Sequence, residues 1–456
     1  MKKNKVVMLL QIIAIFTSWS SYAQDREVPL QNLSPSMEIV NPKNYWLPAV
    51  EVAGLNIGVW SYSKFFTNRN WPNINLNSVK RNFQTGFKWD PDGYIGNQFA
   101  HPYHGGMYFS AARANGLGFW ESAPYALGGS LMWEYFMESV PPSYNDIVNT
   151  PVTGILLGEI SFRVSNLILD ESTNGFERLF RESGAFVINP MHGLNRLIKG
   201  DTWKNGKSFK QKEFYPQISF GVNDVFLSRK LSKNNTYAFF AFDFSYGNRF
   251  SVSQHKDPFD YFTFHTEASV NTNDYIFGVF ASGVLWDTKI NMFGNPKDVI
   301  GVYKEVDLII NTVYKLSATS VSGQFIDNFD IASITVQNSF SLSAILMGAT
   351  NSQYATEFGR NYNIGPGASA SVSSSLRIKN YGRVHFSYKR YWIHTLSGAE
   401  SEEFVGLLKA GTTYELNSFL NIGMDFLLYE RFGNYAAFPD TKTANSALRL
   451  FAQLSF

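Results

Sequence analysis

The chain has 456 residues, a formal net charge of +2, 16% aromatic and 17% charged residues, and no cysteine. Charged residues fall well below the ~25% of an average soluble domain, while Phe (40) and Tyr (24) are abundant, a balance that suits a surface turned to lipid. The absence of Cys excludes disulfides, thiol catalysis, cysteine-held metal and lipidation at a cleavage site, and the near-neutral charge with no basic stripe argues against nucleic acid as a partner.

In chain order, Lys2, Lys3 and Lys5 precede an apolar core from Val6 to Phe16, and Ser21-Tyr22-Ala23 follows. This reads as a signal peptide over residues 1–23, its apolar core shorter than the ~20 residues of a spanning helix. Residues 24–84 read as an N-terminal extension. Beyond the signal no long apolar run occurs, so spanning helices are not expected.

Residues 85–200 read as a helical module. Met107, Ala111, Ala112 and Ala114, then Leu127, Gly128, Leu131, Met132 and Tyr135, recur at helical spacing. Pro124 and Pro141-Pro142 are expected to interrupt or end these helices. Further helices are expected from Thr153 to Leu169, with Gly154 and Gly158 on one face, and from Phe176 to Ala185. Small residues four apart let helices approach closely. The module is expected to pack within or beneath a barrel.

The module carries an unusual polar set. Asn97, His101 and His104 precede the first helix and Arg113 lies in it. Glu134 and Glu138 share a face of the second, Ser143, Asn145 and Asp146 occupy the next turn, and Glu159 sits in the following helix. Burial without partners costs several kcal/mol per group, so these residues are expected to meet as a paired network. Such a set could hydrolyse a lipid ester, with His as general base and a carboxylate orienting it. The nucleophile stays open among Ser110, Ser122, Ser130 and Ser143, none of which lies in a Gly-x-Ser-x-Gly elbow. His101 and His104 with Glu134 or Glu138 could instead hold a metal, or the whole set could be structural. Cofactor and metal are left open. Asp90-Pro91-Asp92-Gly93 reads as a turn, and His192 as a loop residue.

The ordered blocks His101-Pro102-Tyr103-His104-Gly105, Ala112-Arg113, Trp120-Glu121-Ser122, Gly129-Ser130, Trp133-Glu134-Tyr135, Glu138, Pro142-Ser143-Tyr144-Asn145-Asp146 and Thr150-Pro151 to Gly158-Glu159 resemble the domain-of-unknown-function 3943 family. These are exported proteins often found in Bacteroidetes-type bacteria. The family has no established activity, so the resemblance implies a module and not a reaction. The order of His, Gly-rich helix, Glu and Ser-x-Asn-Asp is also similar, over a shorter span, to the VanZ-like and YfiM-like small membrane families.

Residues 201–456 alternate with a period of two. Phe240, Phe242 and Phe244 oppose Asp243 and Ser245; Val384, Phe386 and Tyr388 oppose Arg383, His385 and Lys389; Leu448, Leu450, Ala452, Leu454 and Phe456 close the chain. The ending on Phe resembles the closing strand of bacterial outer-membrane barrels. Repeated along the segment, the pattern predicts an all-β transmembrane barrel of about 12 antiparallel strands following an N-terminal α-helical module. Arg383, His385 and Lys389 could bind an anion, although lumen charges usually pair with one another. The expected location is the outer membrane of a Gram-negative bacterium, with outer-membrane lipids and the barrel-insertion machinery as partners. Two functions stay open: acyl-ester modification of phospholipid or lipopolysaccharide at His101 or His104 with Glu134 and Asp146, or a non-catalytic plugged channel or structural barrel.

Overall fold

The computed structural model describes residues 42–89, 92–206, 213–226, 235–291, 297–355 and 360–456; the expected signal peptide and the Asp90-Pro91 pair lie outside the described residues. The strands are β1 (Phe214–Phe226), β2 (Thr236–Tyr246), β3 (Phe262–Val270), β4 (Tyr275–Ile290), β5 (Asp298–Ile310), β6 (Lys315–Ile331), β7 (Ile334–Asn351), β8 (Tyr362–Ile378), β9 (Gly382–His394), β10 (Ser401–Glu415), β11 (Leu420–Tyr435) and β12 (Thr441–Ser455). Each pairs antiparallel with its sequence neighbours, and β1 pairs with β12, closing the barrel. The expected fold and strand number are both found.

Pairing across the lumen assigns the faces. Lys389 of β9 reaches Glu305 (3.0 Å) and Asp307 (2.7 Å) of β5, and Arg449 of β12 reaches Glu267 of β3 at 2.9 Å. These strands are not neighbours, so the five charges point inward. Residues one position away therefore point outward. Val222, Val372, Val384, Phe386, Met424, Phe426 and Leu450 form part of the exposed apolar outer face.

The barrel bridges its own lumen. Asn311 accepts from the backbone N–H groups of Val313 and Tyr314, turning the β5–β6 connection inward. The Tyr314 hydroxyl then donates to the Gly406 carbonyl of β10 (3.2 Å), and Thr312 Oγ1 accepts from Asn445 of β12 (3.0 Å). In the twelve-strand ring β6 and β12 stand opposite each other, so these contacts bridge the whole bore. Tyr314, Leu316, Tyr391, Ile393, Val405, Leu427 and Tyr429 belong to one buried cluster there. Toward the end where β1 begins, the β2–β3 connection packs Phe250 and Val252 on Val299, Tyr303 and Ile326.

Among the described residues seven α-helices precede the barrel: α1 (Trp46–Phe66), α2 (Leu76–Thr85), α3 (His101–Ala114), α4 (Phe119–Met132), α5 (Tyr144–Ile168), α6 (Gly175–Ile188) and α7 (Pro190–Lys199). A π-turn at Gly96–Ala100 leads into α3, and a second at Trp133–Met137 continues α4. Glycines set the α3–α5 contact. A Cβ on Gly154 would lie 2.5 Å from the Gly105 carbonyl carbon, and one on Gly158 2.7 Å from the Gly106 oxygen. Pro124 does not break its helix. It sits inside α4, whereas Pro141 and Pro142 lie in the non-helical connection to α5.

The module packs neither within nor beneath the barrel; it lies against the outer wall. Outward-facing Phe244, Phe262, Phe264, Ala281 and Val306 pack with Phe109, Phe119, Leu156 and Ile160, and outward-facing Leu308, Ile310, Met347, Tyr362 and Ile364 pack with Tyr94 and Val148. Two features dictate this placement. The bore is bridged by Tyr314 and Thr312, and the covered wall carries polar groups that lipid would penalise. Lys304 faces outward from β5 yet is buried, donating to Thr319 Oγ1 (3.3 Å) and to the Ser320 carbonyl (3.2 Å). Thr319 in turn meets Thr153 of α5 at 2.6 Å. None of the described helices is long and apolar enough to cross a membrane alone.

Candidate functional site

The expected polar set separates into two networks. His101 and Arg113 stand at opposite ends of α3, about 18 Å apart along the axis at 1.5 Å per residue, so one cluster cannot include both.

The first network surrounds the start of α5. Ser143 is its N-cap, accepting from the Asp146 N–H at 3.1 Å. The Ser143 N–H donates to Glu134 Oε2 (2.7 Å), which ties the π-turn after α4 to the cap. Asn145 donates to Asp146 Oδ1 (3.3 Å) and Ser130 to the Asp146 carbonyl (3.3 Å). Trp133 Nε1 donates to Glu138 Oε1 (2.7 Å). His101 Nε2 pairs with Asp92 Oδ2 at 3.3 Å. Asn97 donates to the Tyr362 hydroxyl (2.6 Å), which donates to the Asp92 carbonyl (2.6 Å), fixing this cluster to β8.

The two histidines are driven in opposite directions. Burial by itself would lower the His101 pKa, but the Asp146 charge, the hydrogen bond to Asp92 and the Glu138 charge together raise it well above the ordinary imidazole value. The neighbouring carboxylates thus favour the charged form of the His101 ring. His104 is pushed down to about 3, by burial first and then by the His101 charge. It lies against Trp133, with ring centroids 5.2 Å apart, and its Nδ1 is 3.4 Å from the Tyr108 hydroxyl. A general base works best with a pKa near the operating pH, and the two rings are shifted from the ordinary imidazole value in opposite directions.

The second network lies at the other end of α3. Arg113 binds Glu159 through Nε (2.8 Å) and Nη2 (3.2 Å). Arg163 also binds Glu159 (2.6 Å) and extends to Asp260 (3.0 Å) and the Pro258 carbonyl (2.8 Å) in the β2–β3 connection. Glu159 is fully buried between two guanidinium groups. This arrangement joins α3, α5 and the barrel and has the character of a fastening. The Glu159–Arg163 spacing of four was visible in the sequence; Asp260, far along the chain, was not.

The four candidate serines serve backbone. Ser110 donates to the Gly158 carbonyl (3.3 Å), Ser122 to that of Gly118 (2.9 Å), Ser130 to that of Asp146, and Ser143 caps α5. Among the described residues none is hydrogen-bonded to His101 or His104. The Ser–His pair that does form is Ser165 with His192 Nδ1 (2.7 Å). His192 lies in α7, not in a loop, because Asn189 caps that helix and Pro190 starts it. Its pKa falls to about 3 through burial and the charges of Arg196 and Lys199, and Ser165 also donates to the Phe162 carbonyl. Among the described residues, no group of three His, Asp or Glu side chains is placed to hold a metal.

Residues 86–191 match the model of the family described as Domain of unknown function (DUF3943). All nine candidate residues from His101 to Glu159 lie in that DUF3943 segment, as do both networks apart from their barrel partners, Tyr362 in the first and Pro258 and Asp260 in the second. A search of curated proteins found no match. Solved structures similar to this chain are outer-membrane barrels. OmpT of Vibrio cholerae shares 11% identity, covers 54% of this chain and 97% of its own, and has a TM-score of 0.21. An outer membrane channel from Pseudomonas putida F1 shares 6% over 55% of this chain and 97% of its own, with a TM-score of 0.29. An anion-selective porin from Comamonas acidovorans shares 8% over 54% and 100%, with a TM-score of 0.21.

Proposed function

We propose that this chain is a non-conducting outer-membrane barrel that works through its outer wall, where the DUF3943 segment is seated. The observation that carries this reading is the bridged lumen: Tyr314 meets Gly406, and Asn445 meets Thr312, across the bore. The bare sectors of the wall present apolar side chains suited to hydrocarbon, which supports an outer-membrane location. Purified protein in planar bilayers is expected to show no stepwise ion current, and Tyr314→Ala combined with Tyr429→Ala is expected to create one. Stepwise current through the wild type would overturn the reading.

A second reading is acyl-ester chemistry on a membrane lipid at His101, favoured by one observation: 18% of that side chain remains exposed beside Asp92. Its test is mass spectrometry of envelope lipids from a deletion strain complemented with wild type or Glu134→Gln at equal abundance. A lipid species restored by wild type alone would support it, and identical lipids in every strain would sink it.

A further inference from the structure

The DUF3943 networks leave one surface of the module without an assignment, the groove between α1 and α7. It has a volume of about 460 Å³ and is lined by Glu51, Gly54, Leu55, Gly58, Val59 and Tyr62 of α1, with Met191 and Leu194 of α7. The α1 residues recur at helical spacing along one face, from Glu51 to Tyr62, a length of about 16 Å. Gly54 and Gly58 form the floor, and a Cβ built on either would meet nothing within 4 Å. Their lack of side chains therefore serves no close helix contact here. It leaves a trough.

One end of the trough is polar. Glu51 Oε2 accepts from Asn115 (2.9 Å) and Asn195 (3.0 Å), while its Oε1 is buried with no hydrogen-bond partner. A buried acceptor left without a donor is costly. The charge of Lys199 bears on the same carboxylate, and its ammonium donates to the Ala114 carbonyl at 3.0 Å. The other edges are apolar and exposed, with Val50, Ile57, Phe65 and Phe66 on α1 and Leu197 and Ile198 on α7.

We propose that this groove holds one acyl chain of a zwitterionic phospholipid, with Glu51 receiving the headgroup ammonium and Lys199 the phosphate. The chain would lie along the glycine floor, away from Glu51 toward Tyr62. The inference rests on the reading that the outer wall and its helices face lipid. Charge selects the lipid class. A carboxylate with a free acceptor next to a lysine complements a headgroup carrying both signs, while an anionic headgroup would satisfy Lys199 alone.

The test uses the full chain in nanodiscs of equal parts phosphatidylethanolamine and phosphatidylglycerol, with retained lipids counted by native mass spectrometry. Wild type is expected to keep a lipid enriched in phosphatidylethanolamine. Gly58→Leu, and independently Gly54→Leu, are expected to lower retention about tenfold, a loss of ~1.4 kcal/mol. Glu51→Gln is expected to keep a lipid and lose the enrichment. Heat-modifiable gel mobility confirms that each variant is folded. Equal retention by wild type and both glycine variants overturns the proposal, as does unselective retention by wild type. A dimer that either leucine variant dissolves would assign the groove to a second copy and also overturn it. Channel current from the same sample would overturn the non-conducting reading and leave this one standing, whereas failure to enter nanodiscs would overturn the membrane reading beneath both.

Discussion

Arg163 of α5 and Asp260 of the β2–β3 connection form a buried ion pair at 3.0 Å, and through it the helical module is fastened to the barrel wall. The guanidinium is shared with fully buried Glu159, which also takes Arg113. Removing one member of such a chain leaves a charge without compensation in a dry site, which costs far more than the pair contributes by existing.

Arg163→Met is accordingly expected to destabilise the docked state by ~3–5 kcal/mol. Limited proteolysis reads this directly, because the segment from Gly247 to Tyr261 would lose its anchor. Cleavage there should accelerate in the variant, and unchanged digestion would show that the ion chain is not what holds the module.

The α3–α5 contact depends on bare backbone. Gly154→Val places its Cβ against Gly105, and overpacking of this kind costs ~1–3 kcal/mol or more. Urea titration of the helical circular-dichroism signal should show a lower midpoint for Gly154→Val. Gly128→Ala, whose Cβ meets nothing within 4 Å, should be neutral or slightly stabilising. Equal midpoints for Gly154→Val and wild type would mean the helices can separate without loss.

The two histidines predict a pH optimum for the module. His101 has a raised pKa when folded, so its contribution is complete below the ordinary imidazole value of ~6.5 and is lost as pH rises through the folded value. His104 is lowered to about 3. Its contribution is complete above ~6.5 and is lost as pH falls toward 3, because the unfolded ring takes a proton that the folded ring refuses. Melting of the helical signal should therefore be most resistant near ~6.5. His101→Gln should flatten the alkaline limb and His104→Gln the acid limb. Parallel profiles for wild type and both variants would refute this account.

The outer wall offers a comparison between covered and bare sectors. Lys304 faces outward but lies beneath the module, so Lys304→Met removes a buried cation and should cost little or stabilise. Met424, on the bare sector of β11, is exposed. Met424→Lys should destabilise by ~2–4 kcal/mol if that position meets hydrocarbon. Refolding into lipid vesicles across a urea series, scored by gel mobility, measures both. A harmless Met424→Lys would place that sector outside the membrane.

Strand number, closure on β12 and the lumen-facing charges were readable from residue order, because a strand's alternation is local and repeats every two residues. So were the cores of α3, α4, α5 and α6. Gly154 and Gly158 signalled a close helix contact, while their partners Gly105 and Gly106 are shown only by the packing. Other local signals went unread: Asn44 accepts from the N–H groups of Trp46 and Leu47 to start α1, with Pro48 tolerated in the first turn, and Asn189-Pro190 starts α7 in the same manner.

The sequence by itself thus determined the elements, their faces and the polar inventory of the DUF3943 segment. Only the tertiary structure decided where they meet. An apolar helix face looks the same in sequence whether it covers a lumen or a wall, and the choice was made by Tyr314 and its neighbours, which bridge the bore, and by Lys304 and Thr319, which required cover outside it. Likewise, residue order placed His101 and Arg113 in one list, while the rise of a single rigid helix set them at opposite ends of it.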